Sequence, residues 1–351
     1  MKILYAIQAT GNGHIARAIE LLPYLQQYST VDIFLSGSNS SLSFDLPVKY
    51  RSKGLSLFYG NRGGLNYWKM TKEFSPLRIC KEARDLPVEK YDIVINDFES
   101  ITSLACKLKN IPFLHFGHQA SFTSLKTPRP VNKVLTGEFL LKYYVSSPHK
   151  IGLHFDQYDT FIHSPVIKKT VLNAEPVNHG HVTVYLSHFN DEILYNQLSK
   201  IKDIEFQIFS KKVLQKIQRN NITFLRVDNN NFNESMISSA GIITGAGFET
   251  PAEALYLNKK LMCIPIQGQY EQLCNAAALE KFRVPVLNKL NDLFPFQVQQ
   301  WMNDKHPEKL LLDRSTQQII EEVIEMGISL KKNKITHEYP GIVTPSDIAF
   351  A

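Results

Sequence analysis

Three segments of the chain carry residue types whose spacing could do chemistry. The first is Gly11-Asn12-Gly13-His14-Ile15-Ala16, a histidine beside two glycines. A neutral imidazole is a general base near neutral pH, and glycines let a substrate approach the backbone. The second is Val94-Ile95-Asn96-Asp97-Phe98-Glu99, an apolar run ending in a carboxylate. A carboxylate bonded to one imidazole nitrogen fixes the tautomer and makes the other nitrogen a better base. Read singly, His14 could equally cap a loop and Asp97 a helix. The third is Ile243-Thr244-Gly245-Ala246-Gly247-Phe248-Glu249-Thr250-Pro251-Ala252-Glu253-Ala254-Leu255. Small residues there precede a helix whose open N–H groups would suit a phosphate, with Thr250 adding a hydroxyl and Glu253 placed to accept two sugar hydroxyls. Shortly afterwards Gln267, Gln269, Glu271, Gln272 and Asn275 crowd one loop and the helix behind it, a density that suits carbohydrate hydroxyls.

The elements around these segments read as α/β. Residues 2–7 form a continuous apolar run, as in a strand buried on both faces. Residues 15–25 carry apolar positions at helical spacing, and residues 31–35 are a second buried run. The pattern returns at 91–96, 101–109 and 112–116, and a second series starts at residue 181. The expected organisation is therefore two Rossmann-like parallel-sheet domains facing across a cleft. The first covers residues 1–164 and is joined by a linker (165–180) to the second (181–335). The tail (336–351) is expected to pack back on the first domain. On this plan His14 and Asp97 both stand at carboxyl ends of parallel strands, the edge where open α/β sheets bind ligands.

The composition narrows the class. The 351 residues, 44% hydrophobic and 21% charged, suit a soluble globular chain of two domains. The net charge of +6 is spread without a dense basic run, so nucleic acid is not an expected partner. Cys80, Cys106, Cys263 and Cys274 form no CxxC pair, which suggests a reducing compartment, and no segment reads as a signal peptide or membrane span. A cytoplasmic location is expected. The glycine turn loosely fits a dinucleotide fingerprint. However, the second strand ends in Ser36-Gly37 and Asp32 sits at its start, the wrong end for a ribose contact.

The order G-x-G-F-x-T-x-x-E-A-L, then P-x-x-G-Q-x-E-Q-x-x-N-A, resembles the donor-site signature of GT-B glycosyltransferases. It is similar to the group around the lipid II-forming N-acetylglucosaminyltransferase and the plant-type UDP-glycosyltransferases. The opening G-N-G-H-I-A-R-A and the inner N-D-F-E resemble a bacterial and archaeal branch of that group. The resemblance implies an inverting, metal-independent transfer of a hexose or N-acetylhexosamine from a nucleotide sugar, with UDP as the expected nucleotide, to an acceptor hydroxyl. It implies His14 as base and Asp97 as its orienting acid. For the donor it implies Gly13, Ser187, Gly245, Gly247, Phe248 and Thr250 around the diphosphate, Glu253 on the ribose, and Gln269, Glu271, Gln272 and Asn275 around the sugar. Two departures stand out: plant-type enzymes carry His where this chain has Gly245, and Asn where it has Glu249. A carboxylate beside a diphosphate is unfavourable unless it points away.

No Asp-x-Asp occurs in the chain, so neither a metal nor another cofactor is expected. The acceptor, lipid-linked or saccharide, is expected in the first domain near Arg62, Trp68, His115 and His118. Residues 128–144 mix Arg129, Lys133 and Lys142 with apolar side chains and read first as a core helix. The alternative is a peripheral contact with a membrane, at its inner face. A UDP-sugar epimerase of the same architecture and a non-catalytic nucleotide-sugar binding protein are the rival functions.

Overall fold

The computed structural model describes residues 1–9, 12–37, 46–54 and 75–338. Arg62, Trp68, Gly11 and the tail beyond residue 338 lie outside the described residues. The first sheet has the order β3-β2-β1-β4-β5-β6-β7, all neighbours parallel. Its strands are β1 (Lys2–Gln8), β2 (Thr30–Ser36), β3 (Val48–Ser52), β4 (Ile93–Asp97), β5 (Leu114–Gly117), β6 (Lys150–Leu153) and β7 (Ile162–His163). The intervening helices are α1 (Asn12–Gln26), α2 (Pro76–Asp85), α3 (Ser100–Leu108), α4 (His118–Ser121) and α5 (Leu135–Tyr143).

The second sheet has the order β10-β11-β9-β8-β12-β13, parallel except where β10 (Ile217–Arg219) meets β11 (Ile222–Arg226). Its other strands are β8 (Val182–Tyr185), β9 (Phe206–Ser210), β12 (Gly241–Thr244) and β13 (Lys260–Cys263). After α6 (Lys169–Leu172) come α7 (Asp191–Leu198), α8 (Asn229–Ser238), α9 (Glu249–Tyr256), α10 (Tyr270–Leu279), α11 (Phe294–Asn303) and α12 (Thr316–Glu338).

Both sheets are buried on two faces, which is why their strands read as unbroken apolar runs. Ile3, Tyr5, Ile7, Ile33 and Ile95 pack under α1 and α12, whereas Leu4, Ala6, Phe34 and Val94 pack under α2 and α3. In each sheet the strand order reverses beside the first strand, between β1 and β4 and between β8 and β12. A crevice opens at the carboxyl ends of such a reversal, and the chemistry-bearing segments all emerge there.

Two expectations differ from what is seen. The chain returns to the first sheet before its tail: α12 already packs on α1, β4 and β5. Gly327 makes this approach possible, since a Cβ there would lie 2.7 Å from the Ile93 side chain. Lys331 reaches Asp92, and Gln317 donates to the Tyr28 hydroxyl at 2.8 Å. Helix α5, expected in the core, instead turns Leu135, Phe139 and Tyr143 outward and buries only Gly137 and Leu141.

Candidate active site

His14 lies in the first turn of α1, directly after β1, and Asp97 is the last residue of the neighbouring β4. His14 Nδ1 and Asp97 Oδ1 are 2.9 Å apart. Asp97 is fully buried. Arg17, one turn after His14 on α1, donates from NH2 to both Asp97 oxygens at 2.8 and 2.9 Å, and its Nε is 3.3 Å from Oδ2. Burial alone would raise the Asp97 pKa, but the Arg17 guanidinium and His14 outweigh it and hold the carboxyl at about 2. An ionised Asp97 makes Nδ1 of His14 the protonated nitrogen and leaves the lone pair on Nε2. Arg17 NH2 also lies 3.1 Å from Nδ1. Both groups carry a hydrogen in this tautomer, so that approach is a contact of two donors sharing Asp97.

Two backbone features make room for the cluster. Phe98 has φ 56, a left-handed conformation that costs energy for a bulky side chain and turns the chain sharply after Asp97. Glu99 can then cap α3, accepting from Ile101 N and Thr102 N at 2.8 and 2.6 Å. Gly117, at φ +134, leaves space for the carboxylate: a Cβ there would lie 2.8 Å from Asp97 Oδ1.

Across the interface, Glu249 at the start of α9 turns its carboxylate to Arg17, with Oε1 2.6 Å from NH1. Its other oxygen packs against Gly13, where a Cβ would lie only 2.9 Å away. Glu249, the departure from the plant-type pattern, thus sets its carboxylate between Arg17 and Gly13 of the first domain. Gly247 faces open space, with nothing within 4 Å of an added Cβ, and Thr250 is partly exposed. Ser187 is exposed just beyond β8, across the reversal from Gly245. A Cβ on Gly245 would sit 3.3 Å from Gln272 Oε1.

The remaining sequence-named residues divide into those facing this crevice and those packed beneath it. Glu271 accepts from Gln119 Nε2 at 3.1 Å, and the same amide nitrogen lies 3.4 Å from His14 Nε2. Burial raises the Glu271 pKa, opposed by His14 and Gln119. Gln272 fixes its own loop: its Oε1 accepts from Ile266 N at 2.9 Å and its Nε2 donates to Gln269 Oε1 at 2.8 Å.

Glu253, expected open to a ribose, is instead buried and paired with Lys168 Nζ at 3.1 Å through Oε2. Burial raises its pKa and Lys168 opposes the rise. Phe248, Asn275 and His118 form a buried seam between the sheets. His118 stacks on Phe248 at 3.8 Å and 7°, its Nε2 is 2.9 Å from Asn275 Oδ1, and Asn275 donates to Ala246 O at 3.1 Å. Burial lowers the His118 pKa to about 3.

His115 pairs with Asn96 in register and so projects from the opposite face to Asp97, where it is buried near the Phe98 ring at 6.4 Å. Burial lowers its pKa to about 4. In this arrangement neither His115 nor His118 faces solvent as an acceptor contact would. Among the described residues no group of three or more His, Cys, Asp or Glu is placed to hold a metal ion.

Sequence reading gave no role to Arg17 or Lys168, and had Gln119 only as the end of the segment 115–119 that could line the acceptor pocket. Arg17 alone had a legible signal, its three-residue spacing from His14 on one helix face. The partners of Gln119 and Lys168 come from distant segments.

A family model described as glycosyl transferase family 1 matches residues 1–305. The chain belongs to this family. Its enzymes transfer glycosyl groups, and the two-sheet fold is GT-B, as solved structures of low identity also show. Arabidopsis thaliana UGT89C1 complexed with UDP-L-rhamnose is 14% identical, covers 96% of this chain and 98% of its own, and has a TM-score of 0.55. Phytolacca americana UGT2, complexed with UDP-2fluoro-glucose and pterostilbene, is 12% identical over 96% and 99%, with a TM-score of 0.56. Acinetobacter baumannii MurG is 14% identical over 95% of both chains, with a TM-score of 0.52. No curated protein matches the chain.

Proposed function

We propose that this glycosyltransferase inverts the anomeric centre. It moves a hexose or N-acetylhexosamine from a nucleotide sugar, with UDP as the nucleotide, to an acceptor hydroxyl. The observation that carries the reading is the 2.9 Å contact of His14 with a buried, ionised Asp97 at the strand-order reversal of the first sheet. His14 Nε2 takes the acceptor hydroxyl proton as that oxygen bonds the anomeric carbon. The bond from that carbon to the diphosphate oxygen breaks, and its electron pair leaves with the nucleoside diphosphate. One displacement inverts the centre.

The diphosphate is assigned to the open turn of Gly245 and Gly247, the Thr250 hydroxyl, Ser187 and the amides at the start of α9. These groups take the leaving charge without a metal, in keeping with the missing Asp-x-Asp, and no other cofactor enters the scheme. Glu253, buried and held by Lys168, is left out of the donor assignment. Glu271 is assigned to the transferred sugar, with Gln272 and Gln269 shaping its loop. Gln119 occupies the approach to His14 Nε2, so the acceptor hydroxyl must displace its amide. The acceptor is lipid-linked or a saccharide, and the enzyme works in the cytoplasm, in peripheral contact with the membrane. Among the described residues no helix is long and apolar enough to cross one.

Purified protein incubated with UDP-glucose or UDP-N-acetylglucosamine and a panel of lipid and saccharide acceptors tests the scheme. The expected result is UDP release that depends on acceptor, survives EDTA, and yields product of inverted configuration by NMR. Retained configuration, or loss of activity in EDTA, overturns the mechanism. Interconversion of the UDP-sugar without UDP release favours the epimerase, and binding without turnover favours a sensor.

A further inference from the structure

Helix α5 and the loop before it present a surface that the catalytic scheme does not use. Leu135, Phe139 and Tyr143 recur every fourth residue and form one stripe along the helix. They are 83%, 67% and 51% exposed, and the preceding loop adds Leu125 at 98% and Val131 at 100%. The Phe139 and Tyr143 rings are 4.9 Å apart, and Lys142 Nζ lies 5.3 Å from the Tyr143 ring. Lys126, Lys133 and Lys142 are all exposed around these side chains, Lys126 with Asp159 Oδ1 3.7 Å from its Nζ.

Residues 118–144 contain a single carboxylate, Glu138. It is already taken, by Arg129 at 2.7 Å and by the Tyr270 hydroxyl. Arg129 also donates to Phe122 O at 2.7 Å and Thr127 O at 2.9 Å, tying the loop and the helix into one face. Bulky apolar groups held outward and ringed by cations are the inverse of an ordinary surface helix, and an extended apolar patch of this kind marks a binding surface.

We infer that this face docks on an anionic lipid bilayer, with Leu135, Phe139 and Tyr143 entering the headgroup boundary and the lysines meeting lipid phosphates. Charge decides between occupants. A symmetric dimer through the same patch would set lysine against lysine, whereas an anionic bilayer complements them. The position is also apt. A Cβ on Gly137 would lie 2.3 Å from the Tyr270 ring, so α5 abuts the start of α10, where Glu271 follows. On the proposed reading of Glu271 as a sugar contact, a bilayer on this face brings a lipid-borne acceptor to the transfer site.

The test is sedimentation of the full-length protein with vesicles of phosphatidylcholine alone and of phosphatidylcholine mixed with phosphatidylglycerol. The expected result is binding to the mixed vesicles only, weakening as salt rises. Replacing Leu135 and Phe139 together by Ser lowers the partition by roughly tenfold or more. Lys133→Ala and Lys142→Ala each lower it about fivefold. All these side chains are exposed, and an unchanged melting curve verifies the fold. Equal binding to both vesicle types, no binding to either, or binding indifferent to the substitutions overturns the inference. So does a concentration-dependent dimer that the double serine variant abolishes. Vesicle binding is read without donor or acceptor, so its failure leaves the transferase reading standing, and a His14→Ala protein that cannot transfer sugar still binds.

Discussion

The two sheets share a strand order around their reversals, β3-β2-β1-β4-β5 in the first and β11-β9-β8-β12-β13 in the second. They equip those reversals in opposite ways. In the first, charge is built in: His14, Arg17 and Asp97 lock one another beside β1 and β4, with Asp97 and Arg17 buried. In the second, the edge is left open. Gly247 faces empty space, Ser187 is exposed, and the carboxylate that α9 carries in its first turn is drawn off to Arg17. On the proposed mechanism the contrast follows from what each side must do. A base needs one fixed tautomer, which burial and pairing enforce. A mobile diphosphate needs an unfilled anion site, which glycine and helix amides supply.

The largest effect expected from this contrast is on turnover at the first reversal. His14→Ala should lower kcat by about 10²–10⁴ while leaving donor affinity unchanged, measured by steady-state kinetics and by calorimetry with UDP. Near-normal turnover would remove His14 as base. Next is Arg17→Met, which strips the partner from a buried Asp97 and should cost about 3–5 kcal/mol of stability in denaturant unfolding. The pH dependence has a definite sign. Asp97 has a folded pKa of about 2, depressed below its ordinary value, so it contributes stability above pH ~4 that is lost as pH falls towards 2. In wild type this amounts to roughly 2 kcal/mol. Without Arg17 burial has less to oppose it, and the loss should begin at higher pH.

Much of the fold was legible because double-sided burial writes itself as unbroken apolar runs: residues 2–7 and 31–35 both coincide with strands. Strand β3 was not legible. It is an edge strand, Val-Lys-Tyr-Arg-Ser, with no fully buried side chain, so no apolar run betrays it. At the site, His14 and Asp97 could be paired from sequence because each follows a buried strand and both must emerge at one edge. Glu253 could not be read correctly as open, because its partner Lys168 comes from the segment between the sheets, 85 residues earlier. The outward stripe of α5 was misread for a related reason. Periodicity shows that Leu135, Phe139 and Tyr143 share a face but not which way that face points, and Gly137 against Tyr270 settles it.

Two glycines sharpen the comparison at intermediate size. Gly247→Ala adds a methyl to open space and should leave the melting temperature unchanged while raising the donor KM several-fold, because the methyl stands where the proposed scheme brings the diphosphate. Gly13→Ala adds the same methyl within 2.9 Å of Glu249 Oε2 and should instead disturb the ion pair between the sheets, lowering stability. If both substitutions act only on the donor KM, the two reversals are not equipped differently.

The smallest effect is the most discriminating. Glu249→Gln keeps the shape of the side chain and removes its charge, leaving Arg17 still paired with Asp97. A pair that is largely shielded but reaches partial exposure at Glu249 should contribute about 1 kcal/mol, visible as a slight fall in melting temperature. Its effect on donor binding separates two geometries. With the carboxylate neutralised by Arg17 and aimed at Gly13, the diphosphate sees little net charge from residue 249, and the donor KM should change by less than roughly threefold. If the carboxylate faced the diphosphate, its removal would relieve a like-charge repulsion at short range and tighten donor binding by tenfold or more on the same Coulombic scale. A large fall in KM would therefore move Glu249 to the donor side and leave Arg17 with Asp97 as its only functional partner.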